Sequence, residues 1–404
     1  MHIVSASDYS TKTLDHSLES YFPRLAQFNS TPELEASEIY QNIKPQVEQV
    51  LNAIVTADFA LPSNASQRLD RVKAAAWNIE RGIQIEGILD ALQNHPNLRQ
   101  KDLYLLTEVD DGMARSHNLD VAREIAAALR LNYAFAPCYI ALNKGSGVEA
   151  FVEGENTRSI HGLALFASFP IKNAHSIPIP NGKDKMSGKE KRLGSLRALI
   201  AEIDHPIGVF RAAVIHLDAH SSRRHRRLQM QTLLDHLETL PMLPTIIGGD
   251  WNTTTHNSQN ATRAILGYWR RVMMGVKNAA NNHYPQPEKY FERDLFKLLE
   301  ARGFEYKKFN EIGQGTLHYD MNNLATNVNL GEWVPAWCFP FIRWATERVG
   351  GTFSLKLDWF TGKNIALARG SRPLVVGNLR DQTGVPLSDH DAIVLDFELF
   401  KTKK

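Results

Sequence analysis

Cysteine is scarce in this chain of 404 residues, which contains only Cys138 and Cys338. Two cysteines cannot form a disulfide framework or a cysteine-based zinc cluster, so the fold must depend on a hydrophobic core. Long apolar runs are missing as well, and the first residues, MHIVSASDYSTKTLDHS, have neither the basic nor the apolar region of a secretory signal. We therefore expect a cytoplasmic protein without an integral membrane segment, and no feature of the sequence indicates an obligatory protein partner.

A strong charge of either sign is also missing, because the formal net charge is only +2. This value is too small to indicate nucleic-acid binding by itself, so an anionic ligand would need a local cluster of basic residues. The hydrophobic content of 43% is ordinary for a globular protein, and a chain of this length can therefore bury a full core.

The first 70 residues predict a helical N-terminal extension. The stretch TPELEASEIYQNIKPQVEQVLNAI begins with a helix-start signal, and its apolar residues from Ile39 to Ile54 follow helical spacing. Pro45 predicts a break or kink within this helix, because proline lacks the backbone N–H that a helix interior uses.

From Arg71 onward, short apolar runs such as GLALFASF and PTIIGGD predict buried strands. Helical stretches lie between some of these runs, near residues 83–93, 120–131 and 222–240. Some strands alternate with helices and others follow one another directly, which favours an α/β sandwich over a plain parallel array.

Polar side chains that can do chemistry stand at or just after the carboxyl ends of these strands. Any one of them could be an ordinary polar loop residue. Six strand ends restricted to asparagine, aspartate, glutamate and histidine favour an active site, because strand ends hold side chains rigidly. These residues are Asn78, Glu80, Glu108, Asp110, His216, Asp218, Asp250, Asn252, Asp358, Asp389 and His390.

Six motifs resemble those of the endonuclease/exonuclease/phosphatase superfamily, in the same order along the chain. They are WNIERG (77–82), LLTEVD (105–110), VIHLD (214–218), GGDWN (248–252), LDWF (357–360) and SDHDA (388–392). That superfamily includes pancreatic deoxyribonuclease, apurinic-site endonucleases, inositol polyphosphate phosphatases and neutral sphingomyelinases. The resemblance spans roughly residues 71–399 and implies a four-layer α/β sandwich with two packed mixed β-sheets. It also implies a catalytic domain at 71–400 with a long helical and aromatic insertion at about 256–350.

The resemblance further implies a divalent cation, Mg²⁺ or Mn²⁺, held by oxygen ligands. Glu108 matches the family's metal-binding glutamate, and Asn78 is expected beside it. Glu80 would share a strand face with Asn78 and supply a second acidic group. The other interpretation of Glu80 is a surface ion pair with Arg81 or a lysine. Asp389 would lie near the metal and contact it through water.

The catalytic roles come from the same resemblance. Asp250 would orient or deprotonate the attacking water, and Asn252 would contact the phosphate. His390 would hydrogen-bond the phosphate or activate water, and Asp358 would hold His390 in one tautomer. Whether Asp250 or His390 is the general base stays open. His216 would contact the phosphate or the leaving group, although isoleucine precedes it where the family motif has threonine.

Five basic residues, Arg223 to Arg227, begin a predicted helix soon after His216. Cations at the start of a helix oppose the helix dipole, so acidic groups or an anionic ligand must compensate. One interpretation is a set of ion pairs with acidic loops. The other is a rim that binds the substrate phosphate through Arg223 and Arg227, together with Asn252.

The insertion at about 256–350 is rich in large aromatic side chains. Such residues most often belong to a core, which is the interpretation we favour here. The alternative is a lid or rim beside the active site that stacks on bases or contacts lipid. The aromatic residues concerned are Trp269, Trp333, Trp337, Phe339, Phe341 and Trp344.

The leading functional hypothesis is a divalent-metal-dependent hydrolase of phosphate esters, of the phosphodiesterase (nuclease) type, in which an activated water attacks in line. The alternative is a phosphatase or phospholipase that acts on inositol, sugar or lipid phosphates. A nuclease needs a long basic groove, whereas a phosphatase needs a closed basic pocket. A third hypothesis, a catalytically inactive binding protein, is disfavoured because Asn78, Glu108, Asp250, Asn252, Asp358 and His390 occur together.

Overall fold

The structure is a computed structural model that describes residues 14–60, 70–253, 257, 261–320 and 339–399. The strands are β1 (Val55–Ala57), β2 (Val72–Arg81), β3 (Leu103–Asp111), β4 (Asn132–Ala141), β5 (Ile160–Ala167), β6 (Ile171–Pro178), β7 (Arg192–Gly194), β8 (Arg197–His205), β9 (Gly208–Ile215), β10 (Thr245–Asp250), β11 (Leu317–Asp320), β12 (Thr352–Leu355), β13 (Asp358–Lys363), β14 (Ile365–Leu367), β15 (Leu374–Val376) and β16 (Ala392–Leu399). The helices are α1 (Phe22–Leu25), α2 (Thr31–Glu35), α3 (Glu38–Leu51), α4 (Ile85–Asn94), α5 (Val121–Leu129), α6 (Arg223–Thr239), α7 (Ala261–Met273), α8 (Val276–Asn278), α9 (Arg293–Ala301) and α10 (Phe339–Thr346).

Two mixed β-sheets form the centre of the molecule. The larger sheet has the order β1-β4-β5-β3-β2-β16-β14, with β15 paired to β16 and β7 to β4, and the smaller sheet has the order β13-β10-β9-β8-β6. The pairs β2–β3 and β9–β10 are parallel, and both sheets also contain antiparallel pairs. Strands covered on both faces are apolar throughout, as in β5, whose eight residues are all buried.

The two sheets pack face to face, and helices cover their outer faces. Residues of β3, β5, β8 and β9 share one hydrophobic core with helices α6 and α9, and a second core joins the other face of the large sheet to α3, α4 and α5. The layers are therefore helix, sheet, sheet and helix. This arrangement confirms the predicted four-layer α/β sandwich.

The segment predicted as a helical extension is not helical throughout. Helices α1 to α3 are present, but Val55–Ala57 forms a strand that adds to the edge of the large sheet beside β4. This strand was not predicted, because its partner β4 lies about eighty residues further along the chain. The division of the chain at residue 70 stays a prediction. Hydrogen bonds connect the two predicted parts, since Lys191 Nζ donates to the carbonyl oxygens of Ala26 (2.6 Å) and Phe28 (2.7 Å).

The predicted break at Pro45 does not occur, because α3 runs from Glu38 to Leu51 with Pro45 inside it. One face of this helix buries Ile43 and Val47 in the core, and that packing offsets the hydrogen bond that proline cannot make. Three other predicted helices, near 83–93, 120–131 and 222–240, correspond to α4, α5 and α6.

The described parts of the insertion form α7 to α10 and a β-hairpin of β11 with β12. Leu317 of this hairpin makes an isolated bridge with His390, so the insertion lies against the last predicted motif. Among the described residues, no helix is long and apolar enough to cross a bilayer.

Candidate active site

The predicted site residues meet at one edge of the two packed sheets. Glu108 and Asp250 lie at or near the carboxyl ends of β3 and β10, as predicted, whereas Asp358 is the first residue of β13 and His390 precedes β16. Asn78 on β2 connects the first two, because its Nδ2 donates to Glu108 Oε1 on β3 (3.1 Å) and to Asp250 Oδ2 on β10 (3.2 Å). The parallel pairing of β2 with β3 carries Asn78 and Glu108 to the same edge. One amide thus joins the predicted metal ligands to the predicted catalytic residues.

Irregular backbone aims several of these side chains into the site. The pairing of β2 with β3 shifts register between Asn78 and Arg81, and the pairing of β3 with β5 shifts between Leu106 and Val109. Bulges of this kind redirect side chains beside active sites. Three site residues have left-handed backbone, with φ values of 45° at Glu80, 53° at Glu108 and 46° at Asn252. Such conformations are uncommon for residues other than glycine and concentrate at functional sites.

Asp250 lies at the centre of the cluster. Its Oδ2 accepts from Asn78 Nδ2 (3.2 Å) and Asn252 Nδ2 (3.0 Å), and it lies 3.3 Å from His216 Nε2 and 3.8 Å from His390 Nε2. Burial raises the pKa of Asp250 to about 6, although the two histidines oppose the increase. A carboxylate with a pKa near neutrality is suited to accept a proton from water.

His390 is held by a buried carboxylate. Its Nδ1 lies 2.8 Å from Asp358 Oδ2, while Trp77 Nε1 donates to its carbonyl oxygen at 2.8 Å. Burial lowers the pKa of His390, but Asp358, Asp250 and Asp389 outweigh burial and hold that pKa well above its usual value. The geometry fixes the Nδ1–H tautomer, so Nε2 faces the Asp250 side of the site.

Three carboxylates and one guanidinium share the neighbouring corner. Glu80 Oε2 accepts from the backbone N–H of Asp389 (3.1 Å), and Arg81 Nε lies 3.7 Å from Glu108 Oε2. Burial raises the pKa of Glu80 to about 8, and Asp389 adds to the increase. Burial acts in the same direction on Glu108, but Arg81 and His216 outweigh it and keep that pKa well below its usual range.

The three carboxylates of this corner are donors of the kind that a hard divalent cation prefers. Among the described residues, however, the one group of three acidic or histidine side chains whose ligand atoms all lie close together is a different one. Oxygen and nitrogen atoms of Asp250, Asp358 and His390 lie within 4.8 Å of one another. In that group Asp358 and His390 are already hydrogen-bonded to each other, whereas Glu80, Glu108 and Asp389 supply oxygen atoms alone.

Arg81 belongs to an ion-pair network that the sequence did not predict. Arg81 pairs with Glu149. Arg115 Nη1 lies 3.0 Å from the same Glu149, at Oε2, and 3.1 Å from Glu190 Oε1. On its other side, Arg115 Nε donates to Asp110 Oδ2 at 2.7 Å. Arg81 also acts electrostatically on Glu80, so the alternative interpretation of Glu80, an ion pair with Arg81 or a lysine, stays open. The strand-end residue Asp110 belongs to this network, with Arg115 as its partner.

Asp218, another of the polar strand-end residues, is likewise bound elsewhere. Its Oδ2 accepts from the backbone N–H of Gly182 (2.6 Å) and lies 3.2 Å from Lys185 Nζ. His216, two residues earlier, does reach the cluster, because its Nε2 lies 2.9 Å from Asn252 Nδ2.

The basic residues at the start of α6 are divided between the interior and the surface. Arg226 is fully buried and donates from Nε to Glu292 Oε1 at 3.1 Å, which agrees with the ion-pair interpretation for this residue. Arg223 is exposed, and Arg227 Nη1 donates to Gln231 Oε1 at 3.3 Å. In the described part of the chain, no hydrogen bond or ion pair joins Arg223 or Arg227 to the Asp250 cluster.

Two residues of the β11–β12 hairpin lie close to the site, and no sequence motif marked them. His318 Nε2 lies 2.6 Å from Asp391 Oδ2, and its Nδ1 lies 2.6 Å from Ser354 Oγ. Burial raises the pKa of Tyr319, and Asp389 and Asp250 raise it further, which places its hydroxyl within electrostatic range of the cluster. The segment LHYD is an ordinary strand sequence, and only its pairing in three dimensions brings it to the site.

Three of the insertion aromatics do not belong to a core. Trp269, Phe341 and Trp344 are exposed, which corrects the favoured core interpretation for these residues. Trp333 and Trp337 lie outside the described residues.

A four-layer sandwich with an Asp–His–Asn cluster next to a carboxylate corner defines a class of metal-compatible hydrolases. Residues 75–390 match the sequence model of the Endonuclease/Exonuclease/phosphatase family, which spans most of the chain. The chain belongs to this family, and it is a phosphoester hydrolase by that membership. No curated protein matches its sequence.

Three solved structures similar to this chain come from human, C. elegans and Beutenbergia cavernae. The human Nocturnin catalytic domain shares 17% identity over 86% of this chain and 96% of its own, with a TM-score of 0.47. TDP2 from C. elegans shares 14% identity over 98% of both chains, with a TM-score of 0.45. An endonuclease/exonuclease/phosphatase protein from Beutenbergia cavernae shares 14% identity over 82% of this chain and 72% of its own, with a TM-score of 0.47. Likenesses at this level say nothing about the reaction of this chain.

Proposed function

We propose that the protein is a Mg²⁺- or Mn²⁺-dependent phosphodiesterase in which Asp250 activates the attacking water. The observation that carries this proposal is the position of Asp250 Oδ2. It lies within 4 Å of nitrogen atoms of Asn78, Asn252, His216 and His390, so a single oxygen atom is close to two amides and two imidazoles. A buried carboxylate held by so many neighbours is preorganised and needs little rearrangement during reaction.

Glu108, Glu80 and Asp389 would hold the metal ion, with Asn78 beside them. The support is the chemistry of the donors, which are carboxylate oxygens of the kind that Mg²⁺ and Mn²⁺ prefer. Burial and the neighbouring Asp389 raise the pKa of Glu80, as expected where acidic side chains are crowded together. When bound, the ion neutralises charge on the phosphoryl oxygens.

Side chains of the protein perform the other steps of the reaction. The raised pKa of His390 favours its imidazolium form, so His390 binds a phosphate oxygen and Asp250 takes the proton of the water. Asp358 keeps the His390 ring in place through Nδ1. Asn252 and His216, which contact each other, bind the phosphate and the leaving group.

The insertion contributes Tyr319, whose hydroxyl donates to a phosphate oxygen. Support comes from the hairpin register, because Leu317 pairs with His390 and Tyr319 lies two residues on, on the same strand face. The roles of Arg223 and Arg227 in phosphate binding and the cytoplasmic location stay predictions. The alternative function is a phosphatase or phospholipase type of hydrolase that uses the same residues.

The test is hydrolysis of bis-(p-nitrophenyl) phosphate by the purified protein with Mg²⁺, with Mn²⁺ and with EDTA. We expect turnover with either metal ion and none with EDTA. Preferential cleavage of p-nitrophenyl phosphate would support the phosphatase alternative instead. If neither compound, nor DNA, RNA, phosphoinositides or sphingomyelin, is cleaved, the hydrolase proposal is wrong.

The metal ligands can be tested separately from turnover. Isothermal titration calorimetry of Mn²⁺ binding should show weaker binding in Glu108→Gln. Glu153→Gln is the matched control, since Glu153 is an exposed loop glutamate. Equal Mn²⁺ affinity in the Glu108 variant and the wild type would remove Glu108 from the metal site.

A further inference from the structure

The insertion exposes a group of large apolar side chains, which we call the insertion patch. Its members are Leu266, Trp269, Met273, Phe341 and Trp344. Met273 is 80% exposed and Leu266 is 64% exposed, which is unusual for side chains of this size. A contiguous apolar surface on a soluble domain marks a place where another apolar surface docks.

The patch has regular geometry. Leu266, Trp269 and Met273 are spaced by three and four residues on α7 and therefore form one stripe. Phe341 and Trp344 form a second stripe on α10. Tyr268 Oη donates to the carbonyl oxygen of Phe341 at 2.8 Å, so the two helices touch at this point.

Positive charge surrounds the patch. The exposed residues Arg263, Arg270 and Lys277 lie on or next to α7, and exposed Arg343 lies on α10. Residues 252–287 contain four lysines and arginines and no aspartate or glutamate, although the chain as a whole is nearly neutral. The surface therefore combines apolar side chains with a local excess of cations.

We propose that the insertion patch docks onto an anionic phospholipid bilayer. Tryptophan, leucine and methionine that project between arginines and lysines match the apolar interior and anionic surface of such a membrane. A single-stranded nucleic acid could stack its bases on the three aromatic members, but it would not use the two most exposed members, Met273 and Leu266, which are aliphatic. A bilayer therefore fits the composition better than a nucleic acid does.

The insertion that carries the patch also contacts the surroundings of the active site. Tyr284 packs on Phe353 with ring centroids 5.5 Å apart, and Phe353 packs on Tyr319 at 5.2 Å. The docking itself does not rest on the proposed hydrolase activity, because membrane binding occurs without turnover.

Co-sedimentation with vesicles tests the apolar part of the proposal. The wild type should bind vesicles of phosphatidylcholine mixed with phosphatidylserine. Leu266→Ser combined with Met273→Ser should lower this binding by about tenfold or more, because both side chains lose their transfer into lipid. Met242→Ser is the control, because Met242 is 83% exposed but precedes β10, at the end opposite Asp250. The control should bind like the wild type.

Charge variants test the electrostatic part. Arg263→Gln, Arg270→Gln and Arg343→Gln together should weaken binding to the mixed vesicles by about tenfold or more. The control removes the same charge elsewhere through Arg24→Gln, Arg99→Gln and Arg369→Gln, all at exposed positions. Binding of the wild type to phosphatidylcholine alone should be much weaker than to the mixed vesicles.

Several outcomes would overturn the proposal. One is equal vesicle binding by the wild type and the Leu266/Met273 variant, and another is no binding by the wild type. A wild-type dimer in sedimentation velocity that this variant abolishes would assign the patch to a second copy of the chain. Loss of single-stranded oligonucleotide binding with unchanged vesicle binding would assign it to nucleic acid. Hydrolysis of bis-(p-nitrophenyl) phosphate is measured in parallel, so a failure of the proposed reaction is recognised separately.

Discussion

The Asp250 cluster and the insertion patch are opposite kinds of surface on one chain. In the cluster, polar groups such as Asn78 and Asp250 are almost fully buried and each contacts several partners. In the patch, apolar groups such as Leu266 and Met273 are mostly exposed to solvent. The polar groups of the cluster find their hydrogen-bond partners within the fold. The apolar side chains of the patch are exposed to water, which is unfavourable in free energy, and a partner surface that covered them would remove this penalty.

The largest effect is a loss of turnover, expected from substitutions in the Asp250 cluster. Asp250→Asn keeps the shape of the side chain but removes the carboxylate, so the kcat for bis-(p-nitrophenyl) phosphate should fall by about 10²–10⁴-fold. The melting temperature should stay near that of the wild type, because the hydrogen bonds within the cluster can largely be replaced. Retained turnover in both Asp250→Asn and His390→Ala would show that the cluster is not the catalytic site.

The next largest effect is a loss of stability, expected where the insertion packs against the rest of the fold. Arg226→Gln would leave Glu292 as an unpaired buried charge and should lower the free energy of unfolding by about 3–5 kcal/mol, measured in urea. Arg226→Met combined with Glu292→Leu should recover most of this loss. If the single and double variants are equally unstable, the buried pair is not what holds α6 to the start of α9.

A smaller effect should show whether the insertion takes part in the reaction. Tyr319→Phe removes one hydroxyl and should lower kcat/KM for the diester by about tenfold, the cost of one hydrogen bond to a charged group. Thermal stability should not change. Tyr290→Phe, at an exposed tyrosine of the insertion, is the matched control. Equal kcat/KM in the wild type and Tyr319→Phe would separate the insertion from the chemistry.

The smallest effect is expected at the basic start of α6. Arg227→Ala should change kcat/KM for the small diester less than about threefold, because Arg227 is bound to Gln231 and a partly buried polar contact away from the Asp250 cluster contributes little to the reaction. A large loss on this substrate would restore the predicted phosphate-binding role of Arg227. A loss confined to a long nucleic-acid substrate would instead indicate a rim that extends beyond the scissile phosphate.

The sequence predicted the sandwich and which residues of the cluster lie together, because six ordered motifs mark strand ends. The order of β2, β3 and β10 along the chain, which brings Asn78, Glu108 and Asp250 to one edge, is visible in sequence. The bulges and the left-handed backbone that aim Glu108 and Asn252 are not. The burial of Arg226 could not be predicted in the same way, since its partner Glu292 lies 66 residues away.

The same limit applies to residues that pair only in three dimensions. Tyr319 approaches the cluster through a bridge between Leu317 and His390, 73 residues apart in the chain. The exposure of Trp269 and Trp344 depends on which neighbours cover α7 and α10, and tryptophan spacing alone is equally typical of a core. Local sequence therefore predicted which site residues lie on or beside each strand. It could not predict which side chains of the insertion are buried and which are exposed.

The left-handed backbone at Glu80, Glu108 and Asn252 limits which substitutions the site could accept during evolution. Glycine, asparagine and aspartate adopt this conformation with little strain, whereas valine, isoleucine and threonine do not. A drift from glutamate to asparagine or aspartate at position 108 would change the metal ligand while keeping the backbone. A β-branched replacement would disturb the backbone and the ligand together. The variation that relatives tolerate at these three positions should therefore be narrower than the chemistry alone requires.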